Sequence, residues 1–155
     1  MKAAILVATA AVLGPGAALA QAGDPVAGEA QFARQCVSCH VVVNEAGETL
    51  AGRSARTGPN LYGVAGRTPG AVEGFNYSDA MMAYGEAGAV WEEANFVAYV
   101  QDPTGFLREA LDDPRARGRM AYRVRDEQDA LDLWAYLASL APTGAEAPPS
   151  DVADE

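Results

Sequence analysis

The 155-residue chain has few of the side chains that most often bind metals or form crosslinks, since it contains one histidine and two cysteines. The cysteines, Cys36 and Cys39, are too close together for a structural disulfide to close a long loop, which is where a crosslink restricts the unfolded chain most. A zinc site needs four ligands, and these three side chains are too few. The scarce residues therefore point to another chemistry.

Positive charge is also scarce, with 11 Lys and Arg against 21 Asp and Glu and a formal net charge of −10 at pH 7. This deficit argues against nucleic acid as a partner, because such binding relies on an excess of basic side chains that displace counterions. Half of the residues are hydrophobic, which is enough for a packed core and too much for a disordered chain. The length suggests one domain.

Residues 1–20 have the pattern of a secretory signal peptide. Lys2 precedes an apolar stretch over 3–13, Gly14-Pro15-Gly16 breaks it, and Ala18-Leu19-Ala20 fits a small-x-small cleavage pattern. We expect cleavage after Ala20 and a periplasmic location. An uncleaved membrane anchor is the alternative, but Gly-Pro-Gly comes before the roughly 20 apolar residues that a spanning helix needs.

Hydrophobic periodicity predicts an all-α fold, with no convincing strand pattern and no internal repeat. The strongest helix covers 126–140, where Ala130, Leu133, Trp134 and Leu137 share one stripe. Asp24 and Pro25 are typical of a helix start. Helices are predicted over 24–35, 78–83, 91–100, 104–111 and 126–140, loops over 44–69 and 112–125, a folded domain over 21–141, and a disordered acidic tail over 142–155.

Cys36-Val37-Ser38-Cys39-His40 is the C-x-x-C-H signature of covalent haem attachment. Two thiols three residues apart at a helix end reach both vinyl groups on one edge of a porphyrin, and the adjacent imidazole then binds the iron. A redox-active C-x-x-C is the alternative, but it belongs to a strand-to-helix junction. The export signal agrees with haem attachment, which follows export. We predict one covalent haem c with His40 as an axial ligand.

The second axial ligand cannot be a histidine, because the chain has no other. Met81, Met82 and Met120 remain as candidates after removal of residues 1–20, beside an open site. Met81 and Met82 lie in a predicted helix, whereas Met120 lies in a loop that can fold over the haem more freely. We predict Met120. Thioether ligation raises the reduction potential relative to two imidazoles and leaves no open position for oxygen or peroxide.

The motifs extend beyond C-x-x-C-H. They comprise Gly28, Phe32, Cys36–His40, Thr57–Gly63, Gly66-Arg67, Phe75–Tyr77, Trp91, Tyr99–Pro103, Gly118–Met120 and Trp134–Leu137. On these residues, the chain from about Gly23 to Ala141 resembles class I cytochromes c, and most closely the long bacterial cytochromes c2. The resemblance implies crossing terminal helices, with Gly28 near Leu133 and Phe32 against Tyr136.

The resemblance also implies roles around the haem. The carbonyl of Pro59 is expected to accept the other ring N–H of His40, which orients the imidazole. The remaining expected cofactor-binding residues are Arg67, Tyr77 and Trp91 at the propionates and Tyr99 beside the sulfur of Met120. Met81 departs from the pattern, since mitochondrial relatives usually have a polar residue there.

The charge pattern departs from the family as well, because the chain has no lysine after Lys2. Arg115, Arg117, Arg119, Arg123 and Arg125 instead fall within eleven residues without Asp or Glu. The resemblance implies a monomeric one-electron carrier, not an enzyme, that takes electrons from cytochrome bc1 to a photosynthetic reaction centre or terminal oxidase. We expect transient docking through the Arg115–Arg125 face. The alternative to docking is that this arginine-rich loop is merely solvated. The alternatives to a mobile carrier are a small peroxidase and a subunit tethered by an uncleaved N-terminus.

Overall fold

The fold, known from a computed structural model, is described for residues 22–141, so the predicted signal peptide and acidic tail lie outside the described residues. Most of the regular structure is helical, as predicted. The elements are α1 (Pro25–Gln31) continued by a π-helical segment (Phe32–Cys36), β1 (Val42–Val43), β2 (Thr49–Ala51), α2 (Asp79–Glu86), α3 (Glu93–Gln101), α4 (Pro103–Ala110) and α5 (Glu127–Ser139).

The terminal helices α1 and α5 cross at close range. Gly28 allows this approach, because a Cβ at this position would collide with the main-chain carbonyl of Asp132, one residue before the predicted contact at Leu133. The rings of Phe32 and Tyr136 pack with centroids 5.8 Å apart, which confirms that prediction. The buried carboxylate of Asp132 accepts a hydrogen bond of 2.8 Å from the main-chain N–H of Asp24. The start of the domain is thus fastened to its last helix.

Polar side chains set where the helices begin. Asp24, Ser78, Asp102 and Asp126 each accept a hydrogen bond from a main-chain N–H in the first turn that follows. This capping satisfies N–H groups that have no partner within the helix. The predicted helices therefore start within two residues of the observed ones.

Helix α2 continues to Glu86, beyond the predicted end at 83. Its last turn is held by tertiary contacts: the ring of Tyr84 packs edge-on against Phe106 at 5.2 Å and tilted against Trp91 at 6.1 Å. Helix α2 also packs against α4. Sequence periodicity does not contain these long-range contacts, and the prediction therefore stopped too early.

The loop prediction over 44–69 was wrong at one point, and two short strands occur although the sequence has no convincing strand pattern. Strands β1 and β2 form an antiparallel pair in which Val42 faces Ala51. The turn between them is closed by the Asn44 side chain, which accepts a hydrogen bond of 2.9 Å from the N–H of Glu48, and by Gly47 at φ +79°. Strands of two and three residues are too short for an alternating pattern to be recognised.

The hydrophobic core lies between α1, α3 and α5, and α4 packs against α3. Phe32, Leu107 and Leu137 are among its fully buried side chains. Within residues 22–141, no helix combines the length and hydrophobicity that crossing a membrane requires.

Candidate functional site

A cavity of about 890 Å³ opens beside the core, within the size range of protein sites for small molecules and cofactors. Its walls come from the π-helical segment, residues 56–59 and 74–78, helices α2 and α3, residues 119–122 and helix α5. All nine predicted cofactor-binding residues line it, namely Cys36, Cys39, His40, Pro59, Arg67, Tyr77, Trp91, Tyr99 and Met120. Folding therefore brings together side chains that are far apart in the sequence.

The C-x-x-C-H motif turns back on itself directly after the π-helical segment. The N–H groups of Cys39 and His40 both bond to the carbonyl of Cys36, at 3.0 and 2.8 Å. This turn follows a helix and not a strand, so the arrangement of a thioredoxin-type C-x-x-C is absent. Within residues 22–141, no cluster of three or more His, Cys, Asp or Glu side chains could hold a metal ion.

The two ring nitrogens of His40 differ, because among the described residues only Nδ1 forms a hydrogen bond with the protein. Its Nδ1 lies 2.9 Å from the carbonyl oxygen of Pro59, and a carbonyl only accepts, so Nδ1 carries the proton and Nε2 keeps its lone pair. Burial lowers the pKa of His40, an effect that the bond to Pro59 partly opposes. A neutral, oriented imidazole of this kind is suited to bind a metal through Nε2.

No disulfide joins the sulfurs of Cys36 and Cys39, which lie in a partly buried wall of the cavity. Burial raises the pKa of Cys36 to about 11, with the neighbouring Cys39 as a smaller cause. The Cys36 thiol is therefore uncharged at neutral pH.

Gly58 is packed directly against His40. A Cβ at Gly58 would collide with the imidazole ring, and the Gly58 N–H bonds to the carbonyl of Cys39 at 2.7 Å. Asn60 fixes the same loop, because its side-chain amide accepts from the N–H of Val43 at 3.0 Å and donates to the carbonyl of Val43 at 2.7 Å. Sequence reasoning gave neither residue a role of its own, although both lie in the Thr57–Gly63 motif.

Arg67 lines the cavity, but its guanidinium also forms two hydrogen bonds to main-chain carbonyls of the neighbouring loop. Its guanidinium donates to the carbonyl of Tyr62 at 2.6 Å and to that of Asn60 at 3.0 Å. Burial lowers the pKa of Arg67, while nearby Tyr77 acts in the opposite direction. The guanidinium has five N–H donors, so it can hold the loop and still offer donors to a carboxylate. The expected propionate contact thus accompanies a structural role that the prediction did not include.

Trp91 and Tyr99 form the aromatic part of the cavity wall, with ring centroids 5.1 Å apart. Trp91 is buried, and its main-chain N–H bonds to the carbonyl of Arg67 at 2.9 Å. Burial raises the pKa of Tyr99 to about 12, with a smaller contribution from Tyr77. The Tyr99 hydroxyl therefore remains a neutral hydrogen-bond donor inside the cavity.

The three candidate methionines differ in whether their side chains line the cavity. Met82 is 41% exposed and takes no part in the cavity wall. Met81 is buried and lines the cavity from helix α2, and Met120 lines it from the loop before α5. Two thioethers therefore reach the cavity, one from a helix and one from a loop.

The cavity as a whole suits a covalently attached haem. One wall supplies the sulfurs of Cys36 and Cys39 and the imidazole of His40, whose Nε2 keeps its lone pair, and the thioethers of Met81 and Met120 come from other walls. Buried apolar side chains, including Phe32, Leu133 and Leu137, complete the lining. Soft sulfur and imidazole donors together are the usual axial partners of haem iron in electron-transfer proteins.

Comparison with known proteins gives one consistent result. The family model described as cytochrome c matches residues 25–141. The chain is 61% identical to cytochrome c2 of Rhodovulum adriaticum over 118 residues, which are 76% of this chain and 93% of that protein. It is 51% identical to cytochrome c2 of Cereibacter sphaeroides over 125 residues, which are 80% of this chain and 86% of that one. The crystal structure of cytochrome c2 from Rhodobacter sphaeroides superposes with a TM-score of 0.74 at 50% identity, covering 76% of this chain and 95% of the other.

Proposed function

The chain belongs to the cytochrome c family and carries one covalently bound haem c, and we propose that Cys36 and Cys39 form its thioethers while His40 and Met120 bind its iron. The family relationship makes the protein a single-haem electron carrier. One observation supports this assignment. The sulfurs of Cys36 and Cys39, the imidazole of His40 that Pro59 orients, and the thioether of Met120 all line the same cavity.

When bound, haem supplies a one-electron couple. The chain's own residues prepare the site for it. Pro59 fixes the ring of His40 through the 2.9 Å bond, Met120 would supply a thioether ligand, which raises the potential, and the apolar side chains of the lining would keep water from the haem. If His40 and Met120 both bind the iron, no position would remain open for a substrate, and we therefore propose a carrier and not an enzyme.

We propose that the protein works as a monomer in the periplasm, after cleavage behind Ala20. It takes electrons from a cytochrome bc1 complex to a photosynthetic reaction centre or a terminal oxidase. Two features support this: the export pattern of residues 1–20, and the high identity to proteins named cytochrome c2.

The docking surface that we propose is the arginine surface, defined as Arg115, Arg117, Arg119, Arg123 and Arg125. All five side chains are exposed. The first three line a groove of about 780 Å³, and Arg119 lines both this groove and the haem cavity. Positive charge therefore lies at the rim of the site, where it can orient an acidic partner.

Nearby carboxylates partly neutralise two residues of the arginine surface. Arg123 forms an ion pair of 2.7 Å with Asp102, and Arg115 lies 3.9 Å from Asp113. We therefore expect Arg117 to contribute most directly to docking. Replacing Arg117 by Gln is expected to slow association with an acidic redox partner at low salt and to flatten its salt dependence. Arg53→Gln, an exposed site outside the arginine surface, is the matched control, and a salt-independent rate for the unmodified protein would contradict this docking proposal.

The ligand assignment is tested by redox titration with visible spectra on the unmodified protein, Met120→Ala and Met81→Ala. A ligand-to-metal absorption band near the red end of the ferric spectrum reports a thioether bound to the iron. Met120→Ala is expected to lose this band. Its potential is expected to fall on the order of 0.1 V or more, within the range of about 0.8 V that axial ligands cover. Met81→Ala is the matched control from the same cavity. If Met81→Ala loses the band and Met120→Ala keeps it, the assignment is wrong.

A further inference from the structure

The loop around Met120 is fastened on both sides to distant parts of the chain. Before Met120, the N–H of Gly118 bonds to the hydroxyl oxygen of Thr104 at 3.2 Å. After it, the N–H of Val124 bonds to the carbonyl of Val100 at 2.9 Å. These contacts anchor the loop to α4 and α3. They leave open what holds the loop at the rim of the cavity.

Arg119 provides that contact. Its Nη1 donates a hydrogen bond of 2.8 Å to the carbonyl of Asn76. Arg119 is the residue directly before Met120, and Asn76 directly precedes Tyr77, which lines the same cavity. The bond therefore joins two edges of the cavity, one of which carries Met120.

Arg117, two residues away, is a useful contrast. Both side chains are exposed, carry the same charge and line the same groove. Within residues 22–141, however, the Arg117 side chain makes no hydrogen bond or ion pair, whereas Arg119 bonds to Asn76. Arg117 and Arg119 therefore carry the same charge on the same surface, but of the two only Arg119 is bonded to another part of the described chain.

We infer that Arg119 is a positioning residue for Met120: its bond to the Asn76 carbonyl keeps the loop closed and so protects the bond between sulfur and iron. This rests on the proposed function, because it takes Met120 as the axial ligand. A hydrogen bond from a charged donor is stronger than one between neutral groups, although the exposure of this one limits its contribution. The role of Arg119 is thus in ligation, in addition to any role in docking.

The test measures how easily an outside ligand replaces Met120. Ferric holoprotein is titrated with free imidazole, and loss of the band near the red end of the spectrum reports replacement of the sulfur. Arg119→Gln is expected to bind imidazole about threefold to tenfold more tightly, the factor that one net hydrogen bond represents. Arg117→Gln removes the same charge, and its imidazole affinity is expected to equal that of the unmodified protein, whatever its effect on docking. Arg119→Lys, which keeps a charged donor, is expected to recover most of the protection.

Two results would overturn the inference. Equal effects of Arg119→Gln and Arg117→Gln would mean that only charge matters, and no effect of Arg119→Gln would mean that the bond to Asn76 does not hold the loop. Failure of the proposed function is recognised separately, because Met120→Ala would then retain the band. If Met120→Ala loses the band while Arg119→Gln leaves imidazole affinity unchanged, only the role of Arg119 is refuted.

Discussion

The two sides of the haem cavity are built in different ways. The histidine side, defined as residues 36–40 and 57–67, is held by main-chain hydrogen bonds and close packing, as between Gly58 and His40. The methionine loop, residues 115–125, is mostly exposed and is held by a few contacts, several of them through side chains. Local opening requires the least free energy where exposed hydrogen bonds dominate. We therefore expect iron to lose Met120 long before it loses His40.

The largest effect is expected for Gly58→Ala on the histidine side. The added Cβ would collide with the imidazole of His40, and such overpacking costs about 3 kcal/mol of unfolding free energy. Denaturant unfolding of the holoprotein measures it. Gly63→Ala is the control, because Gly63 has φ +64° and no neighbour at its Cβ position. That variant is expected to lose about 1 kcal/mol, from backbone strain alone. Equal losses would show that close packing behind His40 is unimportant.

A smaller loss is expected for Arg67→Gln, which also acts on the histidine side. The substitution removes charged donors from the carbonyls of Tyr62 and Asn60, at a cost of about 2 kcal/mol, since bonds to charged groups are stronger than average. Thermal and denaturant unfolding are the measurements. Arg67→Lys keeps the charge but not the fork of donors, and an intermediate loss is expected. If Arg67→Lys were as stable as the unmodified protein, charge and not hydrogen-bond geometry would explain the role of Arg67.

The smallest effect is expected for Arg123→Gln in the methionine loop. The ion pair with Asp102 is short at 2.7 Å, but both side chains are about half exposed. Such pairs contribute less than about 1 kcal/mol, and salt weakens them. Unfolding at low and high salt should show a small loss that disappears at high salt, whereas Arg125→Gln should show none. A loss as large as that of Gly58→Ala would contradict the difference between the two sides.

Helix positions were predictable because their signals are local. Asp24 with Pro25 identifies the start of α1 through capping, and the stripe of Ala130, Leu133 and Leu137 identifies α5 through its period. The β1–β2 pair was missed because its strands are shorter than any recognisable period. The last turn of α2 was missed because Tyr84 is held by Phe106 and Trp91, which periodicity does not reveal.

The site residues show the same division. The nine predicted residues share one cavity, since motifs and the family resemblance identified them by residue type and spacing. The second task of Arg67 and the bond of Arg119 to Asn76 were not predicted. In both cases the partner is a main-chain carbonyl, which every residue possesses and which therefore leaves no trace in the sequence.

The sequence by itself determined that this protein attaches haem, because Cys36, Cys39 and His40 are neighbours whose geometry is set by one turn of backbone. It also limited the sixth position to a few methionines or an open site, since the chain has no second histidine. Only the tertiary structure decided that Met82 faces away, that Pro59 orients His40 and that Arg119 ties the methionine loop to Asn76. These facts depend on contacts between distant segments, which form only when the core brings those segments together.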